Sequence, residues 1–279
     1  MSIILPNFLI KLNHLIHDNF TGTTTSGGST DKLTLVDTAL KKFDDGYFGD
    51  PNRDPAWWVY YLSQLRSIKA FSGGAGTITV NSAFAAATLT ATAYSLHRFD
   101  RDQKIAACNQ ALIAAYPWYY KRVEDEATLT GTGASDNEYT VPATFTEFPE
   151  QIFEKQVSGD KITYVPVTDF VVKEKAGSLY FYANITIGNK ILLIGKTPLT
   201  AFTTDASTTE LDNAQAEIVA YLAAAYMCRM ISASINSSDA GRYDTLATRY
   251  ENQFFARVGL TQKPRIVSNK LDWGWLGEG

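Results

Sequence analysis

Histidine, cysteine and methionine are all scarce in this chain of 279 residues, which has three His, two Cys and three Met. Three imidazoles leave little material for a metal centre. His14 and His17 are three residues apart, close enough to share a helix face, but no third ligand accompanies them and the spacing is not HExxH. They read as a partly exposed helix face, and His97, beside Arg98, reads as structural. Cys108 and Cys228 stand on separate predicted helices with no secretory signal ahead of them. Each therefore reads as a small buried apolar residue, not as half of a disulfide. Charge is thin as well: 19% of residues are charged and the net charge is −4, so no global field draws the chain onto nucleic acid. Basic residues are scattered, and the densest pair, Lys41 and Lys42, is followed at once by Asp44 and Asp45. No long apolar run is present near the start, because Lys11, His14, His17 and Asp18 interrupt residues 1–20. That stretch suits neither a signal peptide nor a bilayer span. An intracellular, soluble protein with no membrane partner is the expectation.

Catalytic motifs are missing in the same way. Gly73, Gly74 and Gly76 follow a strand, but a second strand comes next where a phosphate loop needs a helix N-terminus, so they predict a hairpin turn. Ser232, Ser234, Ser237 and Ser238 lie at a helix end with no GxSxG elbow. Glu124, Asp125 and Glu126 form one acidic group and Asp44, Asp45 and Asp50 another. Both read as solvated faces, although two carboxylates across a cleft are the requirement of a glycosidase. Trp57, Trp58, Tyr60 and Tyr61 could stack on sugars or bases, but they lack basic interleaving and read as core and subunit interface. No catalytic residue, cofactor or metal is expected.

Apolar and aromatic residues are plentiful, at 45% and 13%. The most informative stretch is the last seventy residues. Leu211, Ala214, Ile218, Tyr221, Ala225, Cys228 and Ile231 recur at steps of three and four, which predicts one face of a helix. Asn236, Ser237 and Ser238 break it. Tyr243, Leu246, Tyr250, Phe254 and Val258 predict a second helix, with Gly259 as its C-cap. So short a link makes the two antiparallel neighbours. Leu222 and Phe254 should be buried between them. The remaining segment has no period yet carries Ile266, Val267, Leu271, Trp273, Trp275 and Leu276. Large aromatics in a patternless terminal segment read as anchors for a neighbouring subunit or another partner.

Upstream, residues 5–19 predict a short amphipathic helix starting near Pro6, followed by a polar loop at 21–30 too flexible to pack. The type of segment 32–43 is open. Residues 57–62, 65–71, 77–80 and 94–99 read as antiparallel strands, a partial barrel, with glycines supplying positive φ at the turn. Asp100 is a candidate N-cap for a helix carrying Ile105, Cys108, Leu112, Ala115 and Tyr119, with Pro117 bending or ending it. From 128 to 202, short strands at 139–141, 162–165, 170–173, 179–183 and 190–194 predict hairpins of a small sheet or sandwich.

Three stretches carry a family resemblance. They are RSIKAFSGGAGTITVNSAF (66–84) leading to AYSLHRF (93–99), the helix KIAACNQALIAAYPWYY (104–120) followed by NEYTVPATF (137–145), and the helical pair 211–258. That pair has an Asp239-x-x-x-Tyr243 opening and a KPRIV arm after it. Together they resemble the head-to-tail adaptor (connector, or neck) proteins of tailed bacteriophages. The resemblance implies a non-enzymatic virion protein, made in the host cytoplasm, that forms a homo-oligomeric ring, commonly a dodecamer. Such a ring sits under the portal protein, contacts tail or other neck proteins, and lets DNA pass its lumen without specific binding. A mildly acidic chain suits such a conduit. It further implies an α+β fold with a helical bundle core, inserted antiparallel β-hairpin or sandwich segments, and an extended C-terminal docking arm. Divided accordingly, the chain has an N-terminal helix and loop (1–45), a β unit (46–99), a core helix (100–127), an inserted β domain (128–207), a helical hairpin (208–259) and the arm (260–279). Another neck or tail-completion protein, a glycan- or receptor-binding virion module, and a hydrolase are the alternatives.

Overall fold

The computed structural model describes residues 2–18, 20–49, 57–116, 118–133, 137–234 and 240–261. β1 (Ile3–Ile4) runs into α1 (Leu5–Leu15), whose Pro6 occupies a first-turn position that needs no amide donor. Leu5, Phe8, Leu9 and Leu12 form its buried face. β2 (Phe20–Thr23), β3 (Thr34–Val36), β4 (Trp58–Tyr61), β5 (Gln64–Ser72), β6 (Thr77–Val80) and β7 (Ala93–His97) then make one antiparallel sheet in the order β2-β7-β4-β5-β6-β3. Beyond Thr23 the chain continues to β3: the Thr25 amide donates to the Val36 carbonyl at 2.9 Å, and Ser26 bridges Val36. That join links the two outer strands, so the sheet closes as a small barrel around Leu35, Val59, Ile68, Ile78, Val80 and Leu96.

Part of the predicted flexible loop is thus a strand. β2 is built of Phe-Thr-Gly-Thr, and its backbone ladder to β7 needs no apolar pattern. Gly22 is required there, because a Cβ would lie 2.3 Å from the Tyr94 hydroxyl oxygen. The hairpin at 73–76 forms as expected between β5 and β6, but only Gly76 among its glycines has positive φ, at +67°.

Asp100 caps α2 (Arg101–Ala114), its carboxylate accepting from the Asp102 amide at 3.3 Å. β8 (Lys121–Asp125), β9 (Glu138–Thr140), β10 (Gln151–Ser158), β11 (Lys161–Pro166), β12 (Phe170–Lys175), β13 (Ser178–Ala183) and β14 (Lys190–Thr197) follow. They form two antiparallel sheets, β11-β10-β14-β8 and β12-β13-β9. Tyr139, Ile152, Phe181, Ile191 and Leu193 share one core between those sheets, which makes a sandwich. β15 (Thr208–Thr209) pairs with β1 and ties the chain start to the entry of α3 (Asn213–Ser234) and α4 (Ala240–Thr261).

A capping box opens α3: the Gln215 amide donates to the Asp212 carboxylate at 2.8 Å while Gln215 Oε1 accepts from the Asp212 amide. The stripe expected on α3 is only part of its buried surface. Ala216, Val219, Ala220, Leu222, Ala223, Ala224 and Met227 are buried too, whereas Ala214 is exposed. This helix is the centre of a layer, touched by α1, α2 and α4. By length and composition alone Asn213–Ala233 could cross a bilayer, and its apolar surface is mostly buried within the protein. α4 packs through Ala247, Phe254 and Val258, and it runs through Gly259 instead of ending there. Leu222 and Phe254 are buried as expected. Pro117, the 235–239 linker and Asp239 lie outside the described residues.

The helical-bundle core predicted from the sequence is not what forms. The fold is α+β with about 32% strand and 30% helix; among the described residues four sheets form, and the barrel and sandwich they build are structural units, not decorations on a bundle. Barrel and sandwich each bury their own cluster of large side chains, while the four helices supply a third. The physical reason is that the barrel closes around its own apolar interior and the two sandwich sheets cover each other, so neither β unit depends on a helical body for its core.

Candidate functional site

Where α1, the β7–α2 junction, α3 and α4 meet, a groove of about 770 Å³ opens. α1 and its following turn contribute His14, Leu15, Ile16 and His17, and the junction contributes Arg98 and Phe99. From α3 come Tyr221, Cys228 and Ile231, and from α4 Arg242, Tyr243, Leu246, Arg249, Tyr250, Gln253 and Arg257. Among the described residues four guanidinium groups and two imidazoles line it, and no carboxylate does. Steps of seven and eight residues place Arg242, Arg249 and Arg257 on one face of α4, spanning about 22 Å of helix. Arg257 donates to the Tyr221 hydroxyl at 2.8 Å and lies over its ring. Arg98 sits 5.9 Å from the Phe99 and Trp57 ring centres. Arg242 and Arg249 are exposed and form no ion pair among the described residues. The Cys228 thiol is pushed up to about 11 by burial, so it is no nucleophile.

A buried polar network sets this groove's edge. Asp18, directly after His17, has a fully buried side chain that meets the Lys104 ammonium of α2 at 2.5 Å. Its Oδ2 has no aligned hydrogen-bond donor, so charge holds that contact; its Oδ1 accepts from the Arg98 amide. Lys104 also donates to Asn13 Oδ1 at 2.8 Å and approaches His97 Nδ1 at 3.1 Å. Burial, partly offset by Asp18, lowers the Lys104 pKa. Burial first, and the Lys104 charge second, lower that of His97. Ser95 Oγ lies 2.9 Å from His97 Nε2, which invites comparison with a hydrolytic dyad. The Asp18 carboxylate, however, is 3.8 Å from Nδ1 and is committed to Lys104 and the Arg98 amide. The imidazole therefore lacks the orienting carboxylate of a triad and works as a tie between barrel and helices.

A second surface lies on the sandwich. β11 and β12 are each an edge strand of one of its two sheets, opposite β8 and β9 respectively. They carry exposed Ile162, Val171 and Val172, and Val157 faces Ile162 across the β10–β11 hairpin.

The other residues marked by the sequence are spread out. Tyr61 is inside the barrel and Trp57 packs edge-on against Phe48, with ring centres 5.1 Å apart. Glu126 pairs with Lys155 and accepts from Tyr164 at 2.9 Å, and Asp45 accepts from the Gly73 amide at 2.6 Å, so these acidic groups are local ties. Cys108 and Cys228 are free and buried. Ile266, Val267, Leu271, Trp273, Trp275 and Leu276 lie outside the described residues. The arginine row was not singled out from the sequence, where basic residues look scattered; counting them at helical spacing from 242 to 257 is the signal that reveals it. The chain matches no known protein-family model and no curated protein.

Proposed function

We propose that this chain is a structural protein that works by assembly, as a component of the head–tail junction of a tailed phage. The observation that supports assembly is the group of apolar side chains Val157, Ile162, Val171 and Val172, exposed on β10, β11 and β12 of the sandwich. An edge strand is a template for pairing with another chain; Lys161 and Pro166 on β11 and Lys173, Glu174 and Lys175 on β12 restrict such pairing to the apolar stretches beside them. The neck position rests on the sequence resemblance at 66–84 with 93–99, at 104–120 with 137–145, and at the helical pair 211–258 with the arm after it. In this reading copies of the chain join through repeated heterologous contacts that close as a ring. The portal is met by residues 260–279, with Trp273 and Trp275 as anchors, and no reaction is catalysed.

Native mass spectrometry of the purified chain, alone and mixed with portal and tail components, tests this. Closed homo-oligomers are expected, and Val171→Pro on the β12 edge should shift them towards monomer. A chain that stays monomeric at tens of micromolar (far above the roughly micromolar Kd of a weak specific contact) and binds no neck component overturns the proposal.

A further inference from the structure

We infer that the groove between α1, α3 and α4 binds the phosphodiester backbone of nucleic acid, without reading its sequence. Four arginines converge on one cavity with no carboxylate among the described lining residues, in a chain whose net charge is −4. The rest of the molecule is thus more acidic than the whole, and the groove concentrates positive charge in an acidic chain. A row of about 22 Å is too long for one phosphate and suits an extended line of charge. Duplex DNA presents a charge every ~1.7 Å of its axis, so guanidinium groups two helical turns apart find partners in any register. An acidic peptide meets the same row only if its carboxylates repeat at that spacing. Arginine also suits phosphate, because its planar fork donates two parallel hydrogen bonds where lysine offers a point charge. Arg242 and Arg249, exposed and without ion pairs among the described residues, are the free members of the row. Arg257 is already oriented by Tyr221.

Fluorescence anisotropy of the full chain with a labelled mixed-sequence duplex tests the inference, with salt varied from 50 to 200 mM. Four engaged arginines give a slope of about −3.6 in log affinity against log salt, hence a loss of roughly 150-fold over that range. The double variant Arg242→Gln/Arg249→Gln removes two contacts; its slope should fall to about −1.8 and its loss to roughly 12-fold. Unchanged thermal melting shows that this variant is folded, and lysine at both positions should restore the wild-type slope. No binding at 50 mM salt, or a slope indifferent to the double variant, overturns the inference. So does polyglutamate displacing the probe as well as unlabelled duplex, which would identify an acidic protein as the occupant. Because monomer or ring alike can bind the probe, this result is independent of the assembly measurement.

Discussion

Replacing Lys104 with methionine isolates the buried network that joins barrel to helices. The Lys104 and Asp18 side chains are 4% and 0% exposed, so water cannot compensate for a missing partner. Methionine fills most of the lysine stem but leaves the Asp18 carboxylate facing an uncharged thioether. Breaking one side of a buried pair costs ~3–5 kcal/mol. In a chain of this size that corresponds to a fall in Tm of ~6–10 °C. Adding Asp18→Asn removes the stranded charge while keeping an oxygen that can accept from the Arg98 amide. The double variant should therefore recover at least half of the loss, giving a coupling of at least ~2 kcal/mol between the positions. Calorimetry or urea denaturation of the four proteins supplies the cycle. If the two substitutions add to within ~0.5 kcal/mol, the pair is not coupled and the network does not tie the units together.

Acid should weaken the same junction. The folded state holds His97 below its ordinary value of about 6.5, so under pH 6.5 the unfolded chain takes up a proton that the folded chain resists, and stability falls by up to ~1.4 kcal/mol per pH unit; stability measured from pH 7.5 to 5 should lose this component in His97→Gln. Leu62 and Ser63 both have positive φ, 45° and 61°, in the two-residue β4–β5 turn, and Leu62→Asn with Ser63→Gly should raise stability by ~1 kcal/mol or more, whereas no gain in urea midpoint contradicts that turn geometry. Phe254→Ala removes a ring packed against Trp118 at 5.8 Å and should cost ~3–5 kcal/mol; melting like the wild type means the α4 face is misplaced. Glu154 is held below its ordinary value although burial raises it, because it accepts from the Thr186 amide and Asn189 Nδ2 at 2.9 and 2.7 Å. Glu154→Ala should cost ~1–3 kcal/mol by stranding those donors, with faster hydrogen exchange at Thr186 as the local readout.

Much of the local structure is legible in the sequence. Alternation marks β4 to β7, the Asp100 cap marks the start of α2, and steps of three and four find α1 and α4. β2, β8 and β10 escape that reading for different reasons. β2 is polar and paired only through its backbone. β8, Lys-Arg-Val-Glu-Asp, looks like a charged tail to the preceding helix. β10 places Glu154 on its inward face, where hydrogen bonds replace the apolar residue that alternation requires. α3 is misread in the opposite sense, because a helix rich in alanine and buried almost all round shows no single stripe. The arginine row and the Asp18–Lys104–His97 network escape because sequence proximity carries no information on groups brought together from distant elements.

The sequence by itself determined which short segments are helix or strand, where several of them begin, and that the cysteines are apolar filler. Those features follow from side-chain periodicity and from capping groups a few residues away, which act before any distant part of the chain is in place. Only the tertiary structure decided that the first sheet closes through Ser26 and Val36, that two β units carry their own cores, and that Asp18 meets Lys104 across 85 intervening positions. It alone gathered dispersed arginines into one groove inside an acidic chain. Strand order, closure and charge clustering depend on contacts between distant residues, and such contacts are selected by the packing of whole faces, not by any local pattern.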